Sequence, residues 1–295
     1  MTDTVSDGSG GIPAAGSGSA GPGLLEGRPF TRLIDLTLTL RPGMRGVAFE
    51  PKCNFKEHGW NAQTLHLYSH CGTHMDAPIH SEAGDQTIDE IPLAQCMGTA
   101  WLVKLDGIAP RALITVANLG DIAARLAPGD SLILRTGWSA FVDQPKWRDE
   151  LPRVSLELAQ WCVAKQVKLL GVEPPSVADV NNLPEVIQVH QTLLRGGVLI
   201  VEGLTNLEAV TQERVFFAAL PLKPLRGEGS PVRAFAVEGE GTAAFQPISG
   251  FSPSHESEAP LGGWKAALPS GAAAFQPPPY CATTSGGSEV ADLLP

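Results

Sequence analysis

Three of the seven histidines fall within eleven residues, in the segment 70–80, together with an aspartate. The segment contains His70, His74, Asp76 and His80. Imidazole and carboxylate groups in combination are ligands suited to zinc, manganese or iron. A core segment would not collect so many titratable groups, because burying them without partners is costly. The pattern therefore predicts a metal site, and the alternative is a solvated turn with incidental histidines.

The residues before this segment indicate how it is positioned. Residues 64–70 alternate polar and apolar side chains, which predicts a half-buried strand with Leu65 and Leu67 facing the core. His70 then lies at the end of the strand, and the other polar side chains lie on the turn that follows. Strand ends that carry loops are common places for a rigid scaffold to present chemistry.

A second cluster of candidate residues lies more than a hundred positions downstream. Residues 182–195 have helical apolar spacing, and His190 falls on the apolar stripe. The next run, 198–202, is a buried-strand pattern that ends in Glu202. Alone, His190 is typical of a packed core histidine and Glu202 of a cap or ion-pair partner. A two-metal site, however, needs more ligands than the first cluster supplies.

The motif His-x-Gly-Thr-His-x-Asp-x-Pro-x-His resembles the signature of the cyclase-like metal-dependent hydrolases, which include bacterial kynurenine formamidase and isatin hydrolase. The resemblance covers roughly residues 30–240. The other segments that match in type and spacing are 33–37, 129–138, 171–176, 190–202, 221–223 and 230–234.

The resemblance implies a ligand set. His70, His74 and Asp76 would hold the first metal, and Asp76 would bridge to a second metal. The second metal would also be held by His190 and Glu202. His80 would be the catalytic acid and base.

Two positions depart from the family pattern. Ser81 stands where many members have an aromatic residue, which affects the expected pocket wall. Glu173 replaces a common aspartate and is given no role from the sequence.

Composition limits the partners and the compartment. A net charge of -10 argues against nucleic acid or an anionic membrane, since both require a basic face. No segment is long and apolar enough to span a bilayer, and the N-terminus lacks a secretory pattern. The scattered, odd set of cysteines predicts free thiols in a reducing compartment, hence the cytoplasm; the set is Cys53, Cys71, Cys96, Cys162 and Cys281. The side chain of Cys71 is expected to point away from the metals.

The chain divides by composition into three parts. Residues 1–28 are rich in Gly, Ser, Ala and Pro and predict a flexible tail. Residues 29–240 form the predicted hydrolase domain, and residues 241–295 a low-complexity extension with a repeated Ala-Ala-Phe-Gln-Pro around Phe245 and Phe275.

The central part alternates strand and helix patterns, which predicts an α/β fold. The family resemblance implies a compact mixed β-sheet or barrel-like core with flanking helices, of the cyclase-like swivelling β/β/α type. The predicted strands are 100–105, 131–135, 168–172, 198–201 and 234–237, and the predicted helices are 116–126, 155–166 and 183–195.

Candidate substrate contacts are aromatic. Trp60 and Trp138 are candidates for the walls of a pocket, with core packing as the alternative role for each. Arg233 is expected to pair with a buried carboxylate.

The predicted function is metal-assisted hydrolysis of an amide, with two divalent ions per chain, zinc first and manganese as the alternative. The substrate is predicted to be a small aromatic amide or lactam, foremost N-formyl-kynurenine in tryptophan catabolism. The alternatives are an isatin hydrolase-like opening of a cyclic amide or lactone, and a non-catalytic, metal-stabilised interaction protein. We also expect a homo-oligomer, such as a homodimer.

Overall fold

The computed structural model describes residues 31–239, which form twelve strands and five α-helices. The strands are β1 (Arg32–Asp35), β2 (Val47–Cys53), β3 (Ala62–Leu67), β4 (His74–Asp76), β5 (Met97–Lys104), β6 (Leu113–Ile114), β7 (Ser131–Arg135), β8 (Arg153–Val154), β9 (Leu169–Val172), β10 (Leu199–Glu202), β11 (Arg214–Pro221) and β12 (Gly229–Glu238). The helices are α1 (Phe55–His58), α2 (Ile122–Arg125), α3 (Lys146–Asp149), α4 (Leu156–Ala164) and α5 (Leu183–Arg195).

Eight strands form the main sheet, in the order β1-β12-β11-β5-β7-β9-β10-β4. The short strand β4 pairs with β10 on one side and with β12 on the other. These two pairings close seven strands into a ring, with β1 added alongside β12. The prediction of an α/β fold with a mixed, barrel-like core is therefore confirmed.

The parallel strands β5, β7, β9 and β10 are buried on both faces, which explains their nearly continuous apolar sequences. Leu169 belongs to the cluster on the inner face of the ring, and Leu170 to the cluster beneath the helices. The same alternation separates Val201 from Ile200 on β10. Each strand therefore ties together two cores, and the outer core also contains residues of α4 and α5.

Helix α5 begins and ends as predicted, but only its second half is buried. The Asn182 side chain caps it by accepting a hydrogen bond from the Glu185 N–H. His190 is buried as expected, whereas Leu183 and Ile187 of the predicted stripe are exposed. In these first turns Val186 still packs against the outer core, so the buried face of the helix differs from the predicted stripe.

Three further expectations need correction. Residues 116–126 are not one helix, because Gly120 with φ +58° separates a 3-10 turn from α2. Strand β3 forms but ends at Leu67, so His70 lies on the turn that follows and not at the strand end. Among residues 31–239, β3 pairs with β2 alone, and Leu65 is 49% exposed instead of facing the core. Arg233 does pair with a carboxylate, at 2.6 Å from Asp35, but both side chains are exposed.

The cysteines differ in state. Cys71, Cys96 and Cys162 are buried free thiols, as expected. Cys53 is disulfide-bonded, so the expectation of free thiols is wrong at that position. Within residues 31–239 no helix has the length and apolar character needed to cross a bilayer.

Candidate metal centre

Strand β4 presents two of the candidate ligands on one side. His74 and Asp76 are two residues apart and share a face, while Met75 between them is fully buried in the inner core. All three side chains are buried, although two of them are polar. The short strand can hold them rigidly because it is hydrogen-bonded on both sides.

Strand β10 and helix α5 bring the second cluster to the same place. Glu202 is the register partner of His74, and Ile200 is the partner of Asp76. His190 on α5 lies with its Nε2 atom 3.7 Å from Asp76 Oδ2 and 3.5 Å from Glu202 Oε1. Residues more than a hundred positions apart therefore converge on one face of the ring.

His70 reaches the cluster from the turn that follows β3. Its Nδ1 atom lies 2.9 Å from Asp76 Oδ1, and its Nε2 atom lies 3.7 Å from Glu228. The ring fits closely against Gly229 of β12, where a Cβ atom would lie 2.6 Å from the His70 Cε1 atom. A residue without a side chain is therefore required opposite this histidine. The Ser69 hydroxyl donates a hydrogen bond to Glu228, a residue that the sequence did not single out.

The orientation of two imidazoles favours metal binding. His190 makes a hydrogen bond through Nδ1 to the Val186 carbonyl at 2.8 Å, and His74 through Nδ1 to the Gly72 carbonyl at 3.1 Å. A carbonyl only accepts, so each Nδ1 carries the proton. The Nε2 atom of each ring then faces the carboxylates with a free lone pair when the ring is neutral. Such a partner on the far nitrogen is typical of metal-binding histidines.

Buried polar atoms without partners indicate that a cation belongs here. Within residues 31–239, the Nε2 atoms of His70 and His74 and the Oδ2 atom of Asp76 are buried and make no well-formed hydrogen bond, although His74 Nε2 lies 3.2 Å from Glu202 Oε2. Leaving such groups unsatisfied costs about 1–3 kcal/mol each. The donor atoms form two groups, and within each group all of them lie within 4.8 Å of one another. One group is His70, Asp76 and His80, and the other is His74, Asp76 and Glu202. These donors fit a divalent metal ion, and Asp76 belongs to both groups.

Without a metal, the cluster shares protons instead. Burial opposes charge on His190, but the hydrogen bond and charge of Glu202, together with Asp76, raise the pKa of His190 to about 9. Burial also opposes charge on His74, and the nearby Glu202 carboxylate still raises its pKa. The histidines in turn lower the pKa of Asp76 and of Glu202, despite the burial of both carboxyl groups.

His80 differs from the other histidines in its environment. It lies in a 3-10 turn, Pro78–Ser81, with its ring centre 4.0 Å from that of His70 and 6.0 Å from that of His190. Burial lowers the pKa of His80, and the nearby His70 and His190 rings lower it further. The carboxylate of Asp76 has the opposite effect, which is smaller than that of burial. The ring is therefore neutral at pH 7 and lines the cleft above the cluster.

The cluster opens into a cleft of about 660 Å³. Its walls include the aromatic rings of Tyr68 and Trp147 and the apolar side chains of Val142 and Val186. Such a cleft with convergent polar groups at one end is typical of a small-molecule site.

The tryptophans named from the sequence do not line this cleft. Trp138 is 3% exposed, and its Nε1–H donates to the Trp147 carbonyl at 2.8 Å. It supports the wall from behind, while Trp147 supplies the surface. Trp60 is exposed and is not among the residues of the cleft. Periodicity around Trp147 gave no signal, because the residue belongs to a short helix, α3.

Glu173 has a definite structural position. This buried carboxylate, just after β9, accepts five hydrogen bonds. The donors are the N–H groups of Thr136, Gly137 and Trp138 and the hydroxyls of Thr136 and Ser139. The carboxylate therefore fixes the turn that leads into the Trp147 wall.

Comparison with known proteins places this geometry in a family. The cyclase family model matches residues 34–179. The kynurenine formamidase of Salinibacter ruber is 31% identical over 209 residues, covering 70% of this chain and 94% of that protein. The chain belongs to the cyclase family. The kynurenine formamidase of Polaromonas naphthalenivorans is 32% identical over 180 residues, covering 60% of this chain and 75% of that protein.

Solved structures of other proteins share the fold. An isatin hydrolase bound to the product analogue thioisatinate matches with a TM-score of 0.65 and 20% identity, covering 70% of this chain and 92% of that chain. A structure described as a potential metal-dependent hydrolase with cyclase activity matches with a TM-score of 0.56 and 25% identity, covering 70% and 98%. The description of the second structure agrees with a metal at the cluster of histidines and carboxylates.

Proposed function

We propose that this cyclase-family chain is a metal-dependent amide hydrolase that cleaves the formyl group from N-formyl-kynurenine. The observation that supports it most is the buried carboxylate of Asp76, which belongs to both groups of metal donors. Other members of these groups, His74, His80 and Glu202, line one end of the aromatic-walled cleft. The choice of substrate is based on the names of the relatives called kynurenine formamidase.

The proposed ligands are five residues around two ions. His70, His74 and Asp76 would hold one ion, and Asp76, His190 and Glu202 the other. Imidazole and carboxylate donors without thiolate suit zinc first and manganese as the alternative. A bound divalent ion supplies a Lewis acid that polarises a carbonyl and acidifies water.

The chain's own acid and base is proposed to be His80. Its neutral ring, favoured by the lowered pKa, can accept a proton from the attacking water. The same ring then delivers that proton to the aniline nitrogen as the carbon–nitrogen bond breaks, which avoids expulsion of an amide anion. The products are formate and an aromatic amine.

The walls of the cleft are proposed to orient the substrate. Tyr68 and Trp147 offer faces for a planar aromatic ring, with the formyl carbonyl toward the histidine cluster. A formyl carbonyl is the least hindered amide carbonyl, which suits attack deep in the cleft. The position of His80 at the cleft argues against a purely structural metal site, since such a site needs no acid beside it.

The test is a comparison of kcat/KM on one metal-loaded preparation for N-formyl-kynurenine, an N-acetyl anilide, isatin and a simple lactone. We expect N-formyl-kynurenine to be the fastest and elemental analysis to give two ions per chain. Rapid opening of isatin or the lactone beside negligible deformylation would replace the substrate by a cyclic amide or ester. The homo-oligomer and the cytoplasmic location stay predictions.

A further inference from the structure

Three arginines, Arg41, Arg45 and Arg148, line the cleft at its mouth, and they differ in whether they pair with a carboxylate. Arg41 forms an ion pair with Asp143, and Arg148 Nη1 lies 2.8 Å from Asp149 Oδ1. Arg45 has no carboxylate partner within residues 31–239. The two acidic side chains at the mouth are thus neutralised, and Arg45 leaves one net positive charge there.

The backbone places Arg45 above an aromatic ring of the cleft. Two successive turns surround it, with Met44 N–H donating to Arg41 O at 3.2 Å and Val47 N–H donating to Met44 O at 3.0 Å. The next residue, Gly46, has φ +71° and packs against Tyr68, where a Cβ atom would collide with the tyrosine side chain. The guanidinium carbon of Arg45 lies 5.9 Å from the centre of the Tyr68 ring.

The same tyrosine leads to the metal centre. The ring centres of Tyr68 and His70 are 5.5 Å apart, and those of His70 and His80 are 4.0 Å apart. The cleft therefore has a cation at its mouth, an aromatic surface next to it, and the histidine and carboxylate cluster beyond. An arginine side chain keeps its donors in a planar fork that matches a carboxylate.

We propose that Arg45 binds a carboxylate on the substrate and selects aromatic amides with an anionic side chain over neutral ones. The inference rests on the proposed amide hydrolysis, and it adds the specificity element of that site. The amide carbonyl lies at the histidine cluster, the ring lies beside Tyr68, and the carboxylate lies at Arg45.

The experiment compares two substrates that differ only in charge. One is an ortho-acyl formanilide whose acyl chain ends in a carboxylate, and the other ends in a primary carboxamide. We expect Arg45→Gln to lower kcat/KM for the acid by about 10-fold through KM, and to leave the carboxamide within about twofold. Arg45→Lys keeps the positive charge but lacks the planar fork of donors. Its kcat/KM for the acid should lie between those of the wild type and Arg45→Gln. Arg125→Gln is the matched control, since it removes one exposed, ion-paired arginine outside the cleft.

The outcomes separate this inference from the proposed function. Equal losses for both substrates, or no loss for either, would overturn the role of Arg45 while amide hydrolysis stands. If the wild-type protein cleaves neither compound, the proposed function fails. Calorimetric binding of the two deformylated amines to the metal-loaded protein then tests the role of Arg45 independently. If the amine with the carboxylate binds more tightly, and Arg45→Gln abolishes that difference, the role is supported. Equal binding of both amines to the wild type excludes it.

Discussion

Glu202 lies directly opposite His74 in the antiparallel register of β10 and β4, with His74 Nε2 at 3.2 Å from Glu202 Oε2. This pairing brings a carboxylate and an imidazole together in a buried place, where either alone would be costly. In the metal-free protein, protonated imidazoles therefore pair with the carboxylates, and a metal ion must displace those protons when it binds.

Metal affinity should increase with pH. Because the pKa of His190 is raised to about 9 in the metal-free state, this histidine binds a proton at pH 7 that the metal must release. We expect zinc affinity to rise between pH 6.5 and about 9, measured by competition with a chelating dye. The exposed His66 gives a control, because His66→Gln should leave that slope unchanged. A flat profile would contradict the proton-sharing cluster.

The stability of the metal-free protein should change with pH in the opposite direction. A folded-state pKa above the ordinary value of 6.5 means that protonated His190 stabilises the fold. That contribution is complete below pH 6.5 and is lost as the pH rises through about 9. Urea unfolding in the presence of chelator should show this decline, and saturating zinc should reduce it.

His80 and Asp76 should have separable effects. His80→Ala should retain the metal and lower kcat by about 10²–10⁴-fold, the usual contribution of a positioned acid or base. Asp76→Asn keeps the shape but removes the carboxylate shared by both donor groups, so it should lose metal and activity together. Elemental analysis and kcat measured on the same preparations test both. Loss of metal from His80→Ala would make His80 a ligand, which its place in the first donor group allows.

Gly229→Ala should disturb the metal centre from the opposite strand. The new Cβ atom would lie 2.6 Å from His70 Cε1 and 3.0 Å from the Met75 carbonyl, so the ring must move. We expect a loss of stability of about 1–3 kcal/mol and weaker metal binding. Gly84→Ala is the matched control, because its Cβ would have only an ordinary contact at 3.5 Å with Pro78. Unchanged metal content in Gly229→Ala would show that His70 is not essential for binding.

Glu173→Gln should weaken the wall of the cleft. The change leaves one carbonyl oxygen where two carboxylate oxygens accept five hydrogen bonds in a buried place. We expect the free energy of unfolding to fall by about 1–3 kcal/mol in urea titrations. Because the turn leads to Trp147, KM should rise while the metal content stays constant. An unaltered KM would separate this turn from substrate binding.

Much of the local structure could be predicted because it is encoded within short segments. The apolar run 131–135 coincides with β7, and the periodic segment 183–195 coincides with α5. The prediction fails where burial depends on a distant partner. Trp138 has a sequence environment that suits a pocket wall, yet the fold turns it behind Trp147. Leu65 has the alternation of a half-buried strand, yet within residues 31–239 β3 pairs with β2 alone and Leu65 stays exposed.

The sequence by itself determined the donor types, the position of the motif and the α/β class, because these depend on residue chemistry and on periodicity along the chain. Only the tertiary structure decided which donors meet. It brought Glu202 opposite His74, turned His190 toward Asp76, and left Arg45 without a carboxylate partner in residues 31–239. The physical reason is that β4 closes the ring by pairing with β10 and β12, strands far away in the chain. Such pairings follow from the packing of the whole barrel, which no local pattern contains.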